Sequence, residues 1–482
     1  MVSSLSLLLL AFVGPPLLFR VKAVEVGPRI GAVVPANDML APPAPAALRL
    51  NDGPGPANGA PDAAWLLWKD FSAVEALAVK AVKAPAQQSS GQRVALPVQS
   101  TAAHEAARRI APDIFDLLPA SGFSADFKAP CWTGADGKLQ CLPAYFLLGV
   151  FQCGVRDLHE RVALHPDVAA TANAMPHFWD ELHPFREYLT TMQPAVARVQ
   201  AAPMQTVFGD ASFSTFTYTW TGSARLSVEW AKVMKECRET CSNNNTCIDA
   251  TCYTHTNTVA PPQAGGGANI TLPRLLAQVY AKHAPRLVVI LRDPVERLHA
   301  AFHNYFHYGA KYGASETGFS AFAREMVGHL RQCLRSHSEA ECVTAFEALG
   351  PEEEAVFYHA DQVLKSLYAP FLEGWQAAFG DNLLVLRLED WSTGDSNKTA
   401  LRATLQRVYA HLDLTPLPEA RWPEVLAAPI KRTGERKERR SQMEPDTRAF
   451  LRAFYKPYNQ RLVDSLGDRK WLWEDTSVRD DE

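Results

Sequence analysis

The stretch Val288–Gly309 reads VVILRDPVERLHAAFHNYFHYG. With Arg286 and Leu287 it opens on an unbroken apolar run, RLVVIL, as a strand covered on both faces does. At Arg292-Asp293 the chain turns polar. Pro294 then stands where a helix starts, since its missing N–H is one that a first helical turn leaves unpaired anyway. The pattern predicts a strand over Arg286–Leu291 and a helix over Pro294–Tyr308.

Outward from this unit the alternation repeats. Tyr145–Phe151 and Asn382–Leu388 are further continuous apolar runs. Asp157–Leu164 has a helical pattern after the first, and Thr447–Leu466 is a late helix with Asp446 as its expected N-cap. Strand–helix alternation predicts an α/β fold, a three-layer α/β/α arrangement around a central parallel sheet. One catalytic-type domain is expected over residues 125–478, with a cysteine-rich insertion at about 236–268. Residues 24–124 are rich in Ala, Pro and Gly and read as a stem or linker, with a short helix at Trp65–Val82.

The 482 residues include 47% hydrophobic ones, enough for a sizeable core, and the formal charge of -4 gives no global attraction to polyanions. Nucleic-acid binding is therefore not expected. Residues 1–23, MVSSLSLLLLAFVGPPLLFRVKA, fit a cleavable signal peptide ending near Ala23, or an uncleaved anchor. Pro15 and Pro16 break the apolar run, and Arg20 and Lys22 follow it. Such an anchor is the one membrane contact expected.

Nine cysteines agree with a secretory setting. Cys131 and Cys141 flank one short segment, Cys333 and Cys342 another, and Cys237, Cys241, Cys247 and Cys252 crowd a polar loop. The four-cysteine group lacks a C-x2-C knuckle, which favours disulfides over zinc. Cys153 is left over. Asn244, Asn269 and Asn397 stand in glycosylation sequons.

Tyr145–Asp157, YFLLGVFQCGVRD, has Gly149 and Gly154 in the G-x-x-x-x-G spacing of a phosphate loop, but Val155-Arg156 replace the usual Lys-Ser/Thr. A loop entering a helix can still grip an anion with unpaired amides and the helix dipole, and Gly154 permits close approach. Read alone, the stretch is equally a tight strand–helix turn with Arg156 on the surface.

Arg292, Asp293, Pro294 and Arg297 match the R-D-P-x-x-R-x-x-S motif of sulfotransferases, and here the chain resembles that family. LPAYFLLGVFQCGVRDLHERVALHPDV (Leu142–Val168) resembles its first nucleotide motif, K-C-G-T-T-x-L followed by a helix and HP. PHFWDE (Pro176–Glu181), HYGAKYGASETGF, FYHADQVLKSLYAPFLEGW, LLVLRLEDW and FLRAFYKPYNQRLVDSLG resemble later segments of the Golgi-type carbohydrate branch. Within that branch the resemblance is notably to the N-acetylgalactosamine 4-sulfate 6-O-sulfotransferase group and its algal and plant relatives. The resemblance covers about 140 to 475, in order.

It implies a donor, 3'-phosphoadenosine 5'-phosphosulfate, with no metal. It implies a carbohydrate acceptor, sulfated already or not, in the Golgi lumen, with secretion as the alternative. By position, Gln152, Cys153, Gly154, Val155, Arg156 and Asp157 would hold the 5'-phosphosulfate, and Arg292 and Ala300 the 3'-phosphate. A basic segment before the last helix closes over that phosphate in relatives. Lys431–Arg440, KRTGERKERR, stands there, with Arg439 and Arg440 as the candidates.

The departures fall on functional positions. Gln152 replaces the family's lysine, Val155 and Arg156 its two threonines, and Ala300 its serine. Ala174-Met175 replace the Lys-Glu before PHFWD, so the carboxylate base is missing. One reading has substitutes at work: Gln152 and Arg156 on the phosphosulfate, and His177 as base, oriented by Asp180 or Glu181. The other is a pseudoenzyme that keeps the fold and binds or scaffolds sulfated glycans. Among the aromatics after the motif, Phe302, Tyr305, Phe306 and Tyr308, core packing is expected ahead of sugar stacking.

Overall fold

Among the described residues, strands β1 (Cys131–Thr133) and β2 (Leu139–Cys141) form an antiparallel pair. Strands β3 (Tyr145–Gly149), β4 (Gly209–Asp210), β5 (Arg286–Leu291) and β6 (Leu383–Arg387) form a wholly parallel sheet in the order β4-β3-β5-β6. This computed structural model describes Leu96 and residues 100–474, apart from 182, 220–224, 243–246, 248–250, 253–270, 282, 347–348, 350–360, 392–397 and 429–441. Residues 1–23, the helix expected at Trp65–Val82, the sequon asparagines and the Lys431–Arg440 run, including Arg439 and Arg440, lie outside the described residues.

Every residue of β3, β5 and β6 is buried, so both faces of the sheet are covered, as unbroken apolar strands require. The longer helices are α1 (Thr101–Ile110), α2 (Val155–Ala163), α3 (Phe185–Ala201), α4 (Val228–Thr240), α5 (Leu272–Tyr280), α6 (Pro294–Asn304), α7 (Glu316–Ser336), α8 (Tyr368–Phe379), α9 (Lys398–His411) and α10 (Pro445–Leu466), of which α4 packs in a separate cluster with Cys241 and Cys252. Helix α8 packs on α5, α10 and β6, while α10 also meets α6 and α7. The expected α/β arrangement with a central parallel sheet is what the chain adopts.

The boundaries differ where local backbone overrides pattern. β3 stops at Gly149 rather than Phe151. Its register against β5 shifts between Leu147 and Gly149, and Gln152 beyond it is left-handed, at φ +68°, which no pleat accommodates. The helix expected over Pro294–Tyr308 breaks at Tyr305, whose backbone is extended, and resumes at Phe306–Tyr312. Helix α10 starts at Pro445, so Asp446 lies in its first turn rather than at the N-cap. The stem also ends earlier than residue 124. Ser100 caps α1, and Ala106, Ala107 and Ile114 are buried in the main core.

Eight cysteines form the disulfides Cys131–Cys141, Cys237–Cys252, Cys241–Cys247 and Cys333–Cys342, and Cys153 is free and buried. All four cysteines of the polar loop are thus taken up in pairs. Each bridge closes a short loop, of the kind that adds about 2–4 kcal/mol by restricting the unfolded chain. Among the described residues no helix is long and apolar enough to cross a membrane.

Candidate functional site

The chain leaves β3 at its carboxyl end, turns through Val150–Gly154 and enters α2. This places the helix N-terminus, with its unpaired amides and positive dipole end, at the edge of the parallel sheet where such folds bind ligands. Gly154 is needed at that entry. Its φ is +84°, and a Cβ there would lie 2.8 Å from Leu388 Cδ1.

Two arginines from the β5–α6 unit brace the turn. Arg292 Nη1 donates to the Gln152 carbonyl at 3.2 Å, and Tyr368 donates to the Arg292 carbonyl at 2.9 Å. Arg297 is fully buried. Its Nε donates to Ser366 Oγ at 2.7 Å, Nη1 reaches Gln362 Oε1 at 3.2 Å and the Phe151 carbonyl at 3.5 Å, and Nη2 donates to the Gln362 carbonyl. The second arginine of the motif is therefore a strut, and the first sits at the rim.

The sequence-predicted loop residues separate into different roles. Val155 is buried, and Cys153 lies under the loop with its sulfur 4.0 Å from the Tyr368 hydroxyl. Burial pushes the Cys153 thiol up to about 11, against the pull of Arg297 and Arg292, so it stays protonated. Asp157 is bound to Arg161 at 3.2 Å, and Arg161 in turn donates to the carbonyls of Val425 and Ala428. Arg156 is exposed and, among the described residues, makes no side-chain hydrogen bond or ion pair. Ala300 is buried on α6 and offers only a methyl group.

An ion pair of Arg292 with Asp293 or Glu296 is not the arrangement found. Asp293 caps α6 through the Val295 amide and faces Arg452 at 3.5 Å. Glu296 pairs with Arg448; burial alone would raise its carboxyl, but that arginine outweighs it and holds the carboxyl below its ordinary value.

His177 belongs to a second cluster, carried by the turn before α3 and by the segment after β4. Its backbone is left-handed, at φ +53°, and its amide donates to Ser212 Oγ at 2.9 Å. Ser212 is fixed by the buried Asp210, at 2.6 Å, which also accepts from Tyr188 at 2.8 Å. The ring Nδ1 lies 2.7 Å from Ser214 Oγ and 3.3 Å from Asp180 Oδ2. Ser214 donates its own proton to Asp180 at 2.5 Å, so its oxygen is left to accept from Nδ1–H. That assignment leaves the lone pair on Nε2. The hydrogen bond with Asp180 holds the His177 pKa above the ordinary imidazole value, against the opposing effect of burial. Glu181, the other expected orienter, pairs with His183 instead, at 2.8 Å.

A single side chain joins the two clusters. The Phe213 ring packs against His177, centroids 4.8 Å apart, and against Phe151 of the loop, at 5.3 Å. Phe151 continues to Tyr305 at 5.5 Å. Of the aromatics after the motif, Phe302 and Tyr308 are core, while Tyr305 is half-buried at the end of this row. His177 also lines an open cleft of about 360 Å³ with Glu181, His183 and Glu187.

Sequence reading missed Ser214, Asp210 and Tyr188, because DASFS carries no motif and its role depends on β4 beside β3. It also missed Glu389. That carboxylate accepts from the Asp293 amide at 2.8 Å and from Trp473 Nε1 at 3.0 Å. His177, Asp180 and Glu181 place ligand atoms within 4.8 Å of one another, a set able to hold a cation. Ser214 engages Nδ1 of His177 and Oδ2 of Asp180, while Oδ1 of Asp180 has no hydrogen-bond partner among the described residues.

No family model matches the chain. It is 26% identical to carbohydrate sulfotransferase 15 of Homo sapiens over 373 residues, which is 71% of this chain and 56% of that protein. It is 26% identical to the Mus musculus protein and 27% identical to the Rattus norvegicus protein, with the same coverage. The chain thus spans a little over half the length of these curated relatives. A crystal structure of a sulfotransferase from Alicyclobacillus acidocaldarius overlays with a TM-score of 0.36 at 15% identity, covering 68% of this chain and 98% of that one. The likeness read from Arg292-Asp293-Pro294 and the loop before it is therefore a likeness of most of the chain, which is similar to the carbohydrate sulfotransferases.

Proposed function

We propose that the protein is a carbohydrate O-sulfotransferase, moving a sulfuryl group from 3'-phosphoadenosine 5'-phosphosulfate to a hydroxyl of a polysaccharide or glycosaminoglycan-like chain. The observation that carries the reading is the hydrogen bond from Arg292 to the Gln152 carbonyl, which joins the two nucleotide motifs into one rim at the N-terminus of α2. In this reading the 5'-phosphosulfate lies on the α2 amides beside Gly154, with Arg156 as the nearby cation. Arg292 turns its remaining donors to the 3'-phosphate, for which Arg439 and Arg440 remain candidate cations from the sequence alone. Ala300 supplies contact without a hydrogen bond.

Transfer is an in-line displacement at sulfur, helped by positioning and charge stabilisation. A lone pair of the acceptor oxygen forms the new O–S bond, and the S–O bond to the phosphate breaks, with its electron pair leaving on the phosphate oxygen. His177 Nε2 takes the hydroxyl proton, while Ser214 and Asp180 steady the imidazolium. Gln152 donates a hydrogen bond to the leaving oxygen, where the family has a charged lysine. The four disulfides and the residues 1–23 suit the lumen of the secretory pathway, the Golgi for a retained protein.

Purified protein incubated with sulfur-labelled donor and a panel of glycans tests the reading. Labelled glycan supports it; absence of both transfer and nucleotide binding overturns it. A second reading, a sulfotransferase-like pseudoenzyme that binds or scaffolds glycans, is favoured by the uncharged Gln152 and the buried methyl of Ala300. Nucleotide binding without transfer to any glycan would select that one.

A further inference from the structure

We propose that the sugar unit presented to His177 is neutral, carrying neither sulfate nor carboxylate. The inference rests on the sulfotransferase reading and specifies the acceptor of that same site. It starts from the charges around the cleft. Glu181 and Glu187 line it, together with His177 and His183, and among the described lining residues none is lysine or arginine.

Glu187 lines the cleft, is exposed and makes no side-chain hydrogen bond or ion pair among the described residues. Glu181 is partly offset by His183, 2.8 Å away and itself exposed. An anionic substituent brought here would meet like charge with no lysine or arginine among the described lining residues, which is how a site rejects a partner. Sugar hydroxyls suit the same atoms, because a carboxylate accepts hydrogen bonds and cannot donate them. Asn173 adds a side-chain amide on the rim, its Oδ1 already held by the Met175 amide at 3.0 Å. The half-buried rings of Phe213, Phe151 and Tyr305 continue from His177 towards the loop and offer apolar faces to a pyranose.

Arg225, next to the lining residues Phe178 and His183, does not reverse this balance. It is buried, paired with Asp113 at 2.9 Å and stacked on Phe178 at 4.1 Å, so its charge is spent beneath the cleft. Arg292 belongs to the loop cluster, which Phe151 and Phe213 connect to His177.

The test uses short neutral oligosaccharides containing galactose or N-acetylhexosamine, and the same oligosaccharides bearing one sulfate. The full-length protein is assayed for transfer from labelled donor and, separately, for oligosaccharide binding by titration calorimetry. The neutral member of each pair is expected to be favoured about tenfold in kcat/KM and in affinity, a ratio that corresponds to roughly 1.4 kcal/mol. The double variant Glu181→Gln, Glu187→Gln is expected to bring the ratio close to one, chiefly through the sulfated member. Equal or better use of the sulfated member by the unaltered protein overturns the proposal, as does an unchanged ratio in the variant or failure of both members to bind. Binding preference without transfer supports the neutral site while removing the sulfotransferase reading, so the two fail separately.

Discussion

The guanidinium of Arg292, at the end of β5, donates to the carbonyl of Gln152, 3.2 Å away in the loop after β3. One side chain therefore both fixes the loop and stands at the proposed 3'-phosphate. Arg292→Ala is expected to weaken binding of adenosine 3',5'-bisphosphate by about ten- to a hundredfold, the range of a lost charge-assisted hydrogen bond. Arg292→Lys should recover part of this, since lysine restores the charge but not the fork. Isothermal titration reads both; unaltered affinity in the alanine variant would remove Arg292 from the site.

Gln152 occupies a left-handed position, at φ +68°, which lysine can adopt at similar cost. Gln152→Lys places a positive charge where negative charge develops on the leaving phosphate. An increase in kcat of about tenfold or more is expected, with little change in acceptor KM. A fall in kcat would mean that the Gln152 amide has a contact that lysine cannot reproduce.

A general base must be neutral to accept a proton, so kcat/KM should rise with pH through the His177 pKa. Because the hydrogen bond with Asp180 raises that pKa, the acid limb should lie above the ordinary imidazole value. In Asp180→Asn the imidazolium loses that support, its pKa falls, and the limb moves to lower pH. His177→Ala should abolish the limb and reduce kcat by about 10²–10⁴. A limb that stays in place in Asp180→Asn would assign the titration to another group.

Arg297 is buried and satisfies the carbonyls of Gln362 and Phe151 and the hydroxyl of Ser366. Arg297→Met is expected to leave these groups without donors and to cost about 3 kcal/mol, with each orphaned buried group worth roughly 1–3 kcal/mol. Thermal unfolding and nucleotide titration should move together, because the same side chain braces the loop. Loss of affinity at unchanged stability would place Arg297 against the nucleotide instead.

Activity is expected to survive exhaustive chelation. The proposed transfer routes no step through a cation, and Ser214 engages Nδ1 of His177 and Oδ2 of Asp180. Inactivation by a chelator, reversed by added metal, would reassign His177, Asp180 and Glu181 as ligands.

The sheet was legible because its strands are short apolar runs with helices between them; Arg286–Leu291 is a strand over the whole predicted span. The short β4, Gly209–Asp210, was not, since two residues held by pairing with Tyr145 and Phe146 carry no pattern of their own. In the site, the motif carried Arg292 and the loop into view because their spacing along the chain is fixed. Ser214 could not be found that way. It reaches His177 across 37 positions of sequence, only because β4 aligns beside β3. Arg292 and Arg297 look alike in sequence, yet one is a rim residue and the other a buried strut, a distinction made by the segment around Gln362 and Ser366.

Glu389 accepts from both the Trp473 indole and the Asp293 amide, and the two donors are made at different times. Both strands that carry the rim leave the ribosome well before residue 473. The carboxylate that holds the start of α6 gains its indole donor only when synthesis has passed that tryptophan. A chain cut short just before it would lack the indole donor to the carboxylate that holds the turn after β5. The rim is thus finished from a distance, by one of the last parts of the domain to be made.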